Sequence, residues 1–355
     1  MKIKIPPFIK ENDTIGITAP SFGCATEPYI TKFKTAKKIL EDKGFKIKAG
    51  ETVFKCDGKG ISTEPSECAK ELVEFYTAES VPAVISAGGG EMMCETAGLV
   101  DFHKLRECAP KWYMGYSDNT NFIFPLVTIS HTAAIYGPCI GGFGKKWEQS
   151  ESDAFDLLCG KISSVKGYEK FQRPEDDVDP EGDFADHTYS LTAPKILSSF
   201  IPQGGTLASA GNKTIEFEGM LLGGCLDVLA NLCGTKLDCM KEFNADLGDE
   251  KIIWVLESCD ANPMEIRRQI WHLKNAGWFE RTAGFLIGRP LSSFEKEMMG
   301  VDQYNAVTDI LGDFNVPVIM DCDIGHIDPA MPLVMGARSK VKVEKNDIAI
   351  EFSIS

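Results

Sequence analysis

A serine, a glutamate and a histidine each follow a short apolar segment, and together they could carry out nucleophilic catalysis. Ser117 lies in "YMGYSDNT", Glu257 lies in "IIWVLES" and His326 follows "VIMDCDIG". A serine nucleophile needs a base to remove its proton, and that base needs a carboxylate to fix its tautomer. The sequence therefore contains one candidate for each role in a hydrolytic triad.

Each of these residues also has a purely structural interpretation. Ser117 precedes a helical pattern and could be an N-cap, and the G-x-S-x-G elbow is incomplete because Asn119 replaces its second glycine. Glu257 could be a surface carboxylate at a strand end, although a polar residue after "IIWVL" also suits a cleft or a cap. His326 is one of five histidines and lies beside Gly325 in a predicted loop, which makes it a candidate base.

Three consecutive glycines, Gly88, Gly89 and Gly90, end another apolar segment in "SAGGGEMMCE". Glycines before a helix let backbone N–H groups converge on an anion, although they could mark only a tight turn. The segment lacks G-x-G-x-x-G, so it does not indicate a dinucleotide site.

Twelve cysteines are scattered along the chain without a CxxC pair. Reduced, buried thiols suit this pattern better than disulfides or zinc ligands. Cys94 and Cys259 are rival nucleophiles, but neither has the flanking residues of a cysteine-peptidase motif. Both are therefore interpreted as buried thiols.

Alternating strand and helix patterns must position these groups. In the first part of the chain, "TIGITAP", "PAVISAGGG" and "KWYMGYS" have the pattern of buried strands, and "TKFKTAKKILEDKGF" and "SECAKELVEFYTA" that of amphipathic helices. Strands separated by helices predict a mostly parallel sheet covered on both faces. Ligands bind beyond the carboxyl ends of such strands, where Ser117 and the glycines fall.

The pattern changes twice along the chain. We predict a first domain over residues 1–165, a linker with long loops over 166–216, and a mixed α/β domain over 217–355. The middle stretch includes "FQRPEDDVDPEGDFADH" and "PQGGTLASAGNKT", which are rich in polar, Pro and Gly residues. The tail "SKVKVEKNDIAIEFSIS" alternates like two half-buried strands joined at "KND".

Length and charge narrow the possible functions. A chain of 355 residues exceeds a typical single core and suggests two domains. A net charge of -15 repels phosphate backbones and anionic lipid, so we expect no nucleic-acid or membrane partner. The sequence has neither the apolar core of a signal peptide at its start nor a run long enough to span a bilayer, so we expect a cytoplasmic protein.

Taken together, the segments resemble the LD-carboxypeptidase family of serine peptidases. The matching pieces occur in the family's order across nearly the whole chain: "IGITAPS", "SAGGGE", "MGYSDNT", "EGMLLGGCLDVLANLCGT", "IIWVLES" and "GHIDPAMPLVMGA". The resemblance implies a Rossmann-like N-terminal domain, a C-terminal α/β domain and an active site between them. It also implies Ser117 as nucleophile, Glu257 as triad carboxylate and His326 as base, with no metal and no organic cofactor. By the same resemblance, the oxyanion hole would use backbone N–H groups of Gly88, Gly89 and Asp118.

Two substrate classes remain open within this resemblance. The favoured class is a muropeptide with a terminal D-amino acid, although Ala87 stands where muramoyltetrapeptide enzymes usually carry an arginine. The alternative is a peptidyl or aminoacyl nucleotide conjugate, the substrate of the microcin C immunity branch. That branch stacks adenine on tryptophans of an interdomain loop, and here Phe171 or Trp147 would have to replace them. We expect a small peptide or peptide-conjugate substrate and a homodimer.

Two rival classes of protein make different predictions. A non-catalytic small-molecule binding protein would leave Ser117, Glu257 and His326 apart. A glutaminase-like amidotransferase would need a cysteine at the strand-to-helix turn, where this chain has Ser117.

Overall fold

The structure is a computed structural model that describes residues 2–176 and 188–354. Its helices are α1 (Tyr29–Asp42), α2 (Pro65–Thr77), α3 (Met93–Ala97), α4 (Phe102–Glu107), α5 (Thr120–Thr128), α6 (Gln149–Leu158), α7 (Leu226–Leu232), α8 (Met240–Asp246), α9 (Pro263–Asn275) and α10 (Asn305–Leu311). The strands of the first half are β1 (Thr14–Thr18), β2 (Lys46–Ala49), β3 (Ala83–Ser86), β4 (Trp112–Gly115), β5 (Ala134–Tyr136), β6 (Ser164–Lys166) and β7 (Lys170–Phe171). Those that follow are β8 (Ala193–Pro194), β9 (Ser198–Gln203), β10 (Thr206–Ser209), β11 (Ile215–Cys225), β12 (Ile252–Glu257), β13 (Thr282–Gly288), β14 (Glu297–Met298), β15 (Val301–Asp302), β16 (Val318–Cys322), β17 (Leu333–Met335), β18 (Arg338–Glu344) and β19 (Asp347–Phe352).

The first sheet has the order β17-β5-β4-β3-β1-β2. Its first five strands in the chain are parallel, and helices separate most of them, as the alternating pattern predicts. The order 2-1-3-4-5 is one of the common doubly wound arrangements, in which ligands bind at the carboxyl edge of the sheet. Strands β3 and β4 are buried throughout, which accounts for their continuous apolar sequence.

The second sheet is mixed, with the order β10-β9-β16-β13-β12-β11-β18-β19-β6. Strands β11, β12, β13 and β16 form a parallel centre, and antiparallel strands extend it on both sides. The tail forms the hairpin β18–β19, with alternating buried and exposed residues, as predicted around "KND".

The stretch 166–216 is more ordered than the predicted linker. Strands β9 and β10 form a hairpin closed by Gly204 and Gly205, and β9 pairs with β16 at the edge of the second sheet. Their side chains are only half-buried, so backbone hydrogen bonds rather than an apolar pattern define these strands. Residues 177–187, which include part of the predicted interdomain loop, lie outside the described residues.

The two sheets are joined through the core rather than by a linker alone. Strand β17 follows the second parallel centre in the chain but pairs with β5 in the first sheet. Helix α5, buried at every position, packs against β11 and α7 of the second half. One continuous cluster of buried apolar side chains therefore spans both halves. Among residues 2–176 and 188–354, the helices are too short or too polar to cross a bilayer.

Candidate active site

Ser117 lies at the turn between β4 and α5. Its φ is 61°, in the left-handed region that non-glycine residues rarely occupy. A short 3₁₀ turn, Ser117–Asn119, carries the chain into the helix. The strand-to-helix turn and the strained serine are the two features expected of a nucleophile elbow.

Asn119 fills the position of the missing elbow glycine with an inward-facing side chain. Its amide donates to the carbonyl oxygens of Gly88 and Tyr116, at 3.0 Å each. Its Oδ1 accepts a hydrogen bond of 2.5 Å from the Tyr113 hydroxyl. The buried asparagine therefore ties the elbow to the glycine turn, so a second glycine is not needed here.

Ser117, His326 and Glu257 form a continuous hydrogen-bonded chain. Ser117 Oγ lies 2.9 Å from His326 Nε2, and Glu257 Oε2 lies 2.7 Å from His326 Nδ1. Neither the 3₁₀ turn nor α5 has a side-chain capping bond, so the N-cap interpretation of Ser117 finds no support. The non-catalytic binding protein predicted these side chains apart, and its prediction is wrong.

The three residues come from different parts of the fold. Ser117 follows β4 in the first sheet, Glu257 is the last residue of β12, and His326 lies in the loop after β16. The carboxylate of Glu257 is fully buried and is closely approached by Gly325. A Cβ on Gly325 would lie 2.5 Å from Glu257 Oε2, and the φ of +98° at Gly325 also favours glycine. The residue before His326 is therefore constrained by the carboxylate that holds the imidazole.

Burial and pairing have opposite effects on the pKa values of His326 and Glu257. Burial alone would lower the pKa of His326, but the Glu257 carboxylate and the neighbouring Cys259 thiol raise it well above its usual value. Burial would raise the pKa of Glu257, but the imidazole of His326 and the hydroxyl of Tyr136 lower it. The pair therefore favours a charged carboxylate next to a basic imidazole.

Tyr136 is a site residue that sequence reasoning missed. Its hydroxyl donates to Glu257 Oε1 at 2.6 Å and accepts from the Ser117 backbone N–H at 3.0 Å. The available signal was positional, because Tyr136 ends β5 at the same edge of the sheet as Ser117. A tyrosine at the end of "AAIY" is easily taken for a core aromatic.

The residues expected to form an oxyanion hole surround Ser117. A Cβ on Gly89 would lie 3.2 Å from Ser117 Cβ and 3.3 Å from its Oγ. In the described part of the chain, the amide N–H groups of Gly88, Gly89 and Asp118 form no hydrogen bond with other protein groups. The Asp118 side chain is buried and accepts from Ser21 Oγ at 2.5 Å and from the Met93 N–H at 2.9 Å. These two hydrogen bonds engage the side chain of Asp118, and its backbone N–H stays at the turn next to Ser117.

A cavity of about 360 Å³ adjoins the elbow. Gly88, Gly89, Tyr116 and Gly325, the neighbours of Ser117 and His326, contribute to its wall. Farther along it lie Tyr29, Lys32, Lys145, Ser150, Glu151, Tyr189 and Asp328.

Lys145 is a nearly buried cation in this wall. Its ammonium lies 3.6 Å from Glu151 Oε1 and over the ring of Tyr189. Burial lowers the pKa of Lys145, although Glu151 acts in the opposite direction. The described wall of the cavity therefore carries two basic residues, Lys32 and Lys145, beside two acidic ones, Glu151 and Asp328.

Neither aromatic proposed for adenine stacking contributes to the cavity wall. Phe171 is buried against the guanidinium of Arg289 and the ring of Phe294. Trp147 packs on Phe143 and Phe155. Both rings are held by these neighbours, and the aromatic side chains that the described residues contribute to the wall are tyrosines.

The rival cysteines differ in their positions. The prediction of buried thiols is wrong for Cys94, which is exposed on α3, and Cys259 is only partly buried. Partial desolvation of the Cys94 thiol together with nearby Asp118 still raises its pKa. Cys259 lies beside His326, but burial raises the pKa of its thiol too. A thiol with a raised pKa is a weak nucleophile because little thiolate is present. The twelve cysteines are all unpaired.

The comparisons with known proteins cover almost the whole chain. Residues 15–137 match the family model for the LD-carboxypeptidase N-terminal domain, and residues 218–341 match that for the C-terminal domain. A probable murein peptide carboxypeptidase of Bacillus subtilis is 24% identical, over 99% of this chain and 95% of that protein. The microcin C7 self-immunity protein MccF of Escherichia coli is 23% identical, over 99% of this chain and 97% of that protein.

A solved structure supports the fold. The crystal structure of an MccF-like protein from Bacillus anthracis superposes with a TM-score of 0.77, covering 98% of this chain and 99% of that one at 21% identity. The two family models together match well over half of the chain, in the order N-terminal then C-terminal. The chain therefore belongs to the LD-carboxypeptidase family and is a serine peptidase.

Proposed function

We propose that this chain is a cytoplasmic carboxypeptidase that uses a Ser117-His326-Glu257 triad to release a terminal D-amino acid from muropeptides. One observation carries the proposal. A strained Ser117 at φ 61° directs its Oγ to His326 Nε2 at 2.9 Å, while Glu257 holds the opposite ring nitrogen at 2.7 Å.

The reaction follows from these positions. His326 takes the proton of Ser117 as its oxygen attacks the scissile carbonyl carbon, and the C–N bond breaks as His326 protonates the leaving amine. This releases the terminal amino acid and leaves an acyl group on Ser117. Water, deprotonated by His326, then attacks the acyl carbon and regenerates the serine.

The developing oxyanion needs hydrogen-bond donors at the elbow. Backbone N–H groups of Asp118 and of the Gly88–Gly89 turn are the proposed donors, because they are not used elsewhere in the described chain. Preorganised donors of this kind contribute roughly 100- to 1,000-fold in turnover.

The substrate class is supported by the charges of the cavity. A carboxypeptidase substrate ends in a free carboxylate, and the basic side chains of Lys32 and Lys145 lie in the wall of the cavity beside the elbow, with Lys145 shared with Glu151. The relative from B. subtilis is itself named a probable murein peptide carboxypeptidase. The unpaired thiols support a reducing compartment, because disulfides are rare in the cytosol.

The first prediction tests the reaction and its nucleophile. Purified protein should shorten a muramoyl tetrapeptide that ends in D-alanine by one residue, as detected by mass spectrometry. Ser117→Ala and His326→Ala should each lower turnover by several orders of magnitude, up to ~10⁶ on the scale of dismantled serine-peptidase triads. The double variant should be little worse than either one, because the residues act as a unit.

As a control, each variant must be shown to be folded. Circular dichroism and the unfolding midpoint should change little, since Ser117→Ala removes only one hydroxyl. A folded Ser117→Ala protein with wild-type turnover would contradict the assignment of the nucleophile.

A second candidate function is an immunity-type peptidase that cleaves peptidyl or aminoacyl nucleotide conjugates. The observation that favours it is an aromatic wall, since Tyr29 is 54% exposed and lines the cavity together with Tyr189. A planar base could stack on such rings. Incubation with an aminoacyl sulfamoyl adenosine decides between the classes, because cleavage of this compound but not of the tetrapeptide would favour the conjugate.

A further inference from the structure

The hydroxyl of Tyr136 connects the nucleophile's backbone to the triad carboxylate. A phenol has one proton and an ionised carboxylate can only accept, so the Tyr136 proton must point to Glu257 Oε1. The phenolic oxygen is then free to accept the Ser117 N–H at 3.0 Å. The direction of this relay is therefore fixed, from Ser117 N–H through Tyr136 O–H to Glu257.

The two oxygens of Glu257 are used by different partners. Oε2 faces His326 Nδ1 and Oε1 accepts from Tyr136, while the side chain itself has no exposed surface. A buried carboxylate needs hydrogen bonds at both oxygens. Tyr136 therefore fixes the rotation of the carboxylate that orients the imidazole.

The strand register holds Tyr136 in place. It is paired with Gly115, two residues before Ser117, across the parallel strands β4 and β5. Its ring is nearly buried and packs edge-on against Tyr116 at 6.5 Å. Burial and the adjacent Glu257 raise the pKa of Tyr136, which keeps the phenol protonated as a donor.

This arrangement also supports the oxyanion donors named above, because it removes one alternative. The backbone N–H of the nucleophile is a common donor to the oxyanion in serine peptidases. Here that N–H is already bonded to Tyr136. The oxyanion must then depend on Asp118 and the Gly88–Gly89 turn.

We propose that Tyr136 is a positioning residue that sets the orientation of Glu257 and the basicity of His326 while withdrawing the Ser117 N–H from the oxyanion hole. The inference rests on the proposed triad. A hydrogen bond donated to Oε1 stabilises charge on Glu257 and so weakens its attraction for the imidazolium proton. Without this bond, Glu257 should hold that proton more strongly.

The second prediction concerns Tyr136→Phe, which retains the ring and removes only the hydroxyl. We expect kcat to fall about 10- to 100-fold, the scale associated with a lost hydrogen bond to a charged group, with little change in KM. The acidic limb of the kcat/KM profile should move to higher pH. In a Glu257→Gln background, Tyr136→Phe should lower kcat much less, because the effect of the Tyr136 hydroxyl is exerted through the carboxylate.

A matched control is Tyr76→Phe. Tyr76 is also buried, and its hydroxyl donates to the Lys111 carbonyl at 3.2 Å, away from the triad. The Tyr76→Phe variant should therefore keep the wild-type kcat and the wild-type pH profile of kcat/KM. An unshifted profile in Tyr136→Phe, or an equal loss in the Glu257→Gln background, would overturn the inference.

A second measurement covers failure of Tyr136→Phe to fold. Site-specific replacement of Tyr136 by 3-fluorotyrosine keeps the hydrogen bond and makes the phenol a stronger donor. The acidic limb should then move to lower pH, and the absence of a shift would contradict the relay. Ser117→Ala is measured in parallel: full activity there would reject the triad itself, whereas an inactive Ser117→Ala beside a wild-type-like Tyr136→Phe would reject only the role of Tyr136.

Discussion

At the scale of single residues, the site combines backbone strain with buried charge. Ser117 occupies a left-handed conformation of the kind that costs about 1–3 kcal/mol, and the hydrogen bonds of Asn119 hold the turn around it. His326 and Glu257 form a hydrogen-bonded pair whose side chains are 11% and 0% exposed. Little solvent reaches the pair, so each hydrogen bond to it affects the proton affinity of the imidazole.

The third prediction concerns pH. His326 must be neutral to accept the Ser117 proton, and Glu257 raises its pKa despite burial. The kcat/KM of the wild-type protein should therefore rise with pH through a value above the usual 6.5 of histidine and be lost at lower pH. Glu257→Gln removes the carboxylate but keeps the burial, so the acidic limb should move to lower pH while kcat falls.

Measuring kcat/KM from about pH 5 to 10 with the cleaved substrate would check the direction in which the acidic limb moves. We expect Ser117→Ala and His326→Ala to lower kcat most. Glu257→Gln should lower it less, because the carboxylate orients the base and does not react. An acidic limb that stays in place in Glu257→Gln would mean that another group titrates.

At the scale of elements, the carboxyl ends of strands bring the site together. Ser117 follows β4, Tyr136 ends β5, the glycine turn follows β3 and Glu257 ends β12. The first three belong to neighbouring strands of one sheet, so the strand register sets their spacing. Within the glycine turn, Gly89 lies so close to Ser117 that a Cβ there would press on the nucleophile at 3.2 Å.

The fourth prediction is that Gly89→Ala lowers turnover while the fold is maintained. The new Cβ would lie 3.2 Å from Ser117 Cβ, so the nucleophile must shift by a few tenths of an ångström. Catalytic geometry tolerates little displacement, and we expect kcat/KM to fall at least about ten-fold. The amide N–H is retained, so the loss would reflect position rather than a missing donor.

Gly312→Ala is the matched control for this variant. A Cβ there would meet only Leu207, at 3.9 Å, which is an ordinary contact with a residue that does not belong to the triad or the glycine turn. It should leave kinetics and stability nearly unchanged. Wild-type kinetics in Gly89→Ala would show that the turn is not packed against the nucleophile as closely as described.

At the scale of the whole molecule, the triad depends on how the two halves meet. The nucleophile helix α5 packs into the second half, where Phe124 stacks on Trp278 at 4.8 Å with an angle of 7° between the rings. The hydroxyl of Thr120, the first residue of α5, accepts the Cys225 N–H at 3.0 Å. The junction beneath the triad is therefore both packed and hydrogen-bonded.

The fifth prediction is that Phe124→Ala destabilises the protein by about 3–5 kcal/mol, the range for truncating a fully buried aromatic residue. Because the ring joins the two halves, the unfolding transition should broaden or divide when it is followed by calorimetry. Met299→Ala, at a residue that is 93% exposed, should change the free energy of unfolding by less than about 0.5 kcal/mol. A sharp transition at the wild-type temperature in Phe124→Ala would mean that the stack does not couple the halves.

Much of the fold follows from local pattern. A short stretch of sequence is enough to predict three kinds of element. They are the buried strands of the parallel centres, which are continuously apolar, the helix α1, which ends just before Gly44, and the β18–β19 hairpin, in which buried and exposed residues alternate. The hairpin β9–β10 cannot be predicted in this way, because half-buried edge strands are defined by backbone pairing with distant β16. The pairing of β17 with β5 likewise depends on a contact between residues far apart in the chain.

For the site, the sequence by itself determined the types of residue and the strand ends at which they lie. Ser117, Glu257 and His326 could be named because a polar group after an apolar strand is a local signal. Only the tertiary structure decided that Tyr136 joins them, that Trp147 and Phe171 are packed away from the cavity wall, and that Lys145 contributes to it. The physical reason is distance along the chain. A hydrogen bond between Tyr136 and Glu257 links residues 121 positions apart, and no local pattern encodes it.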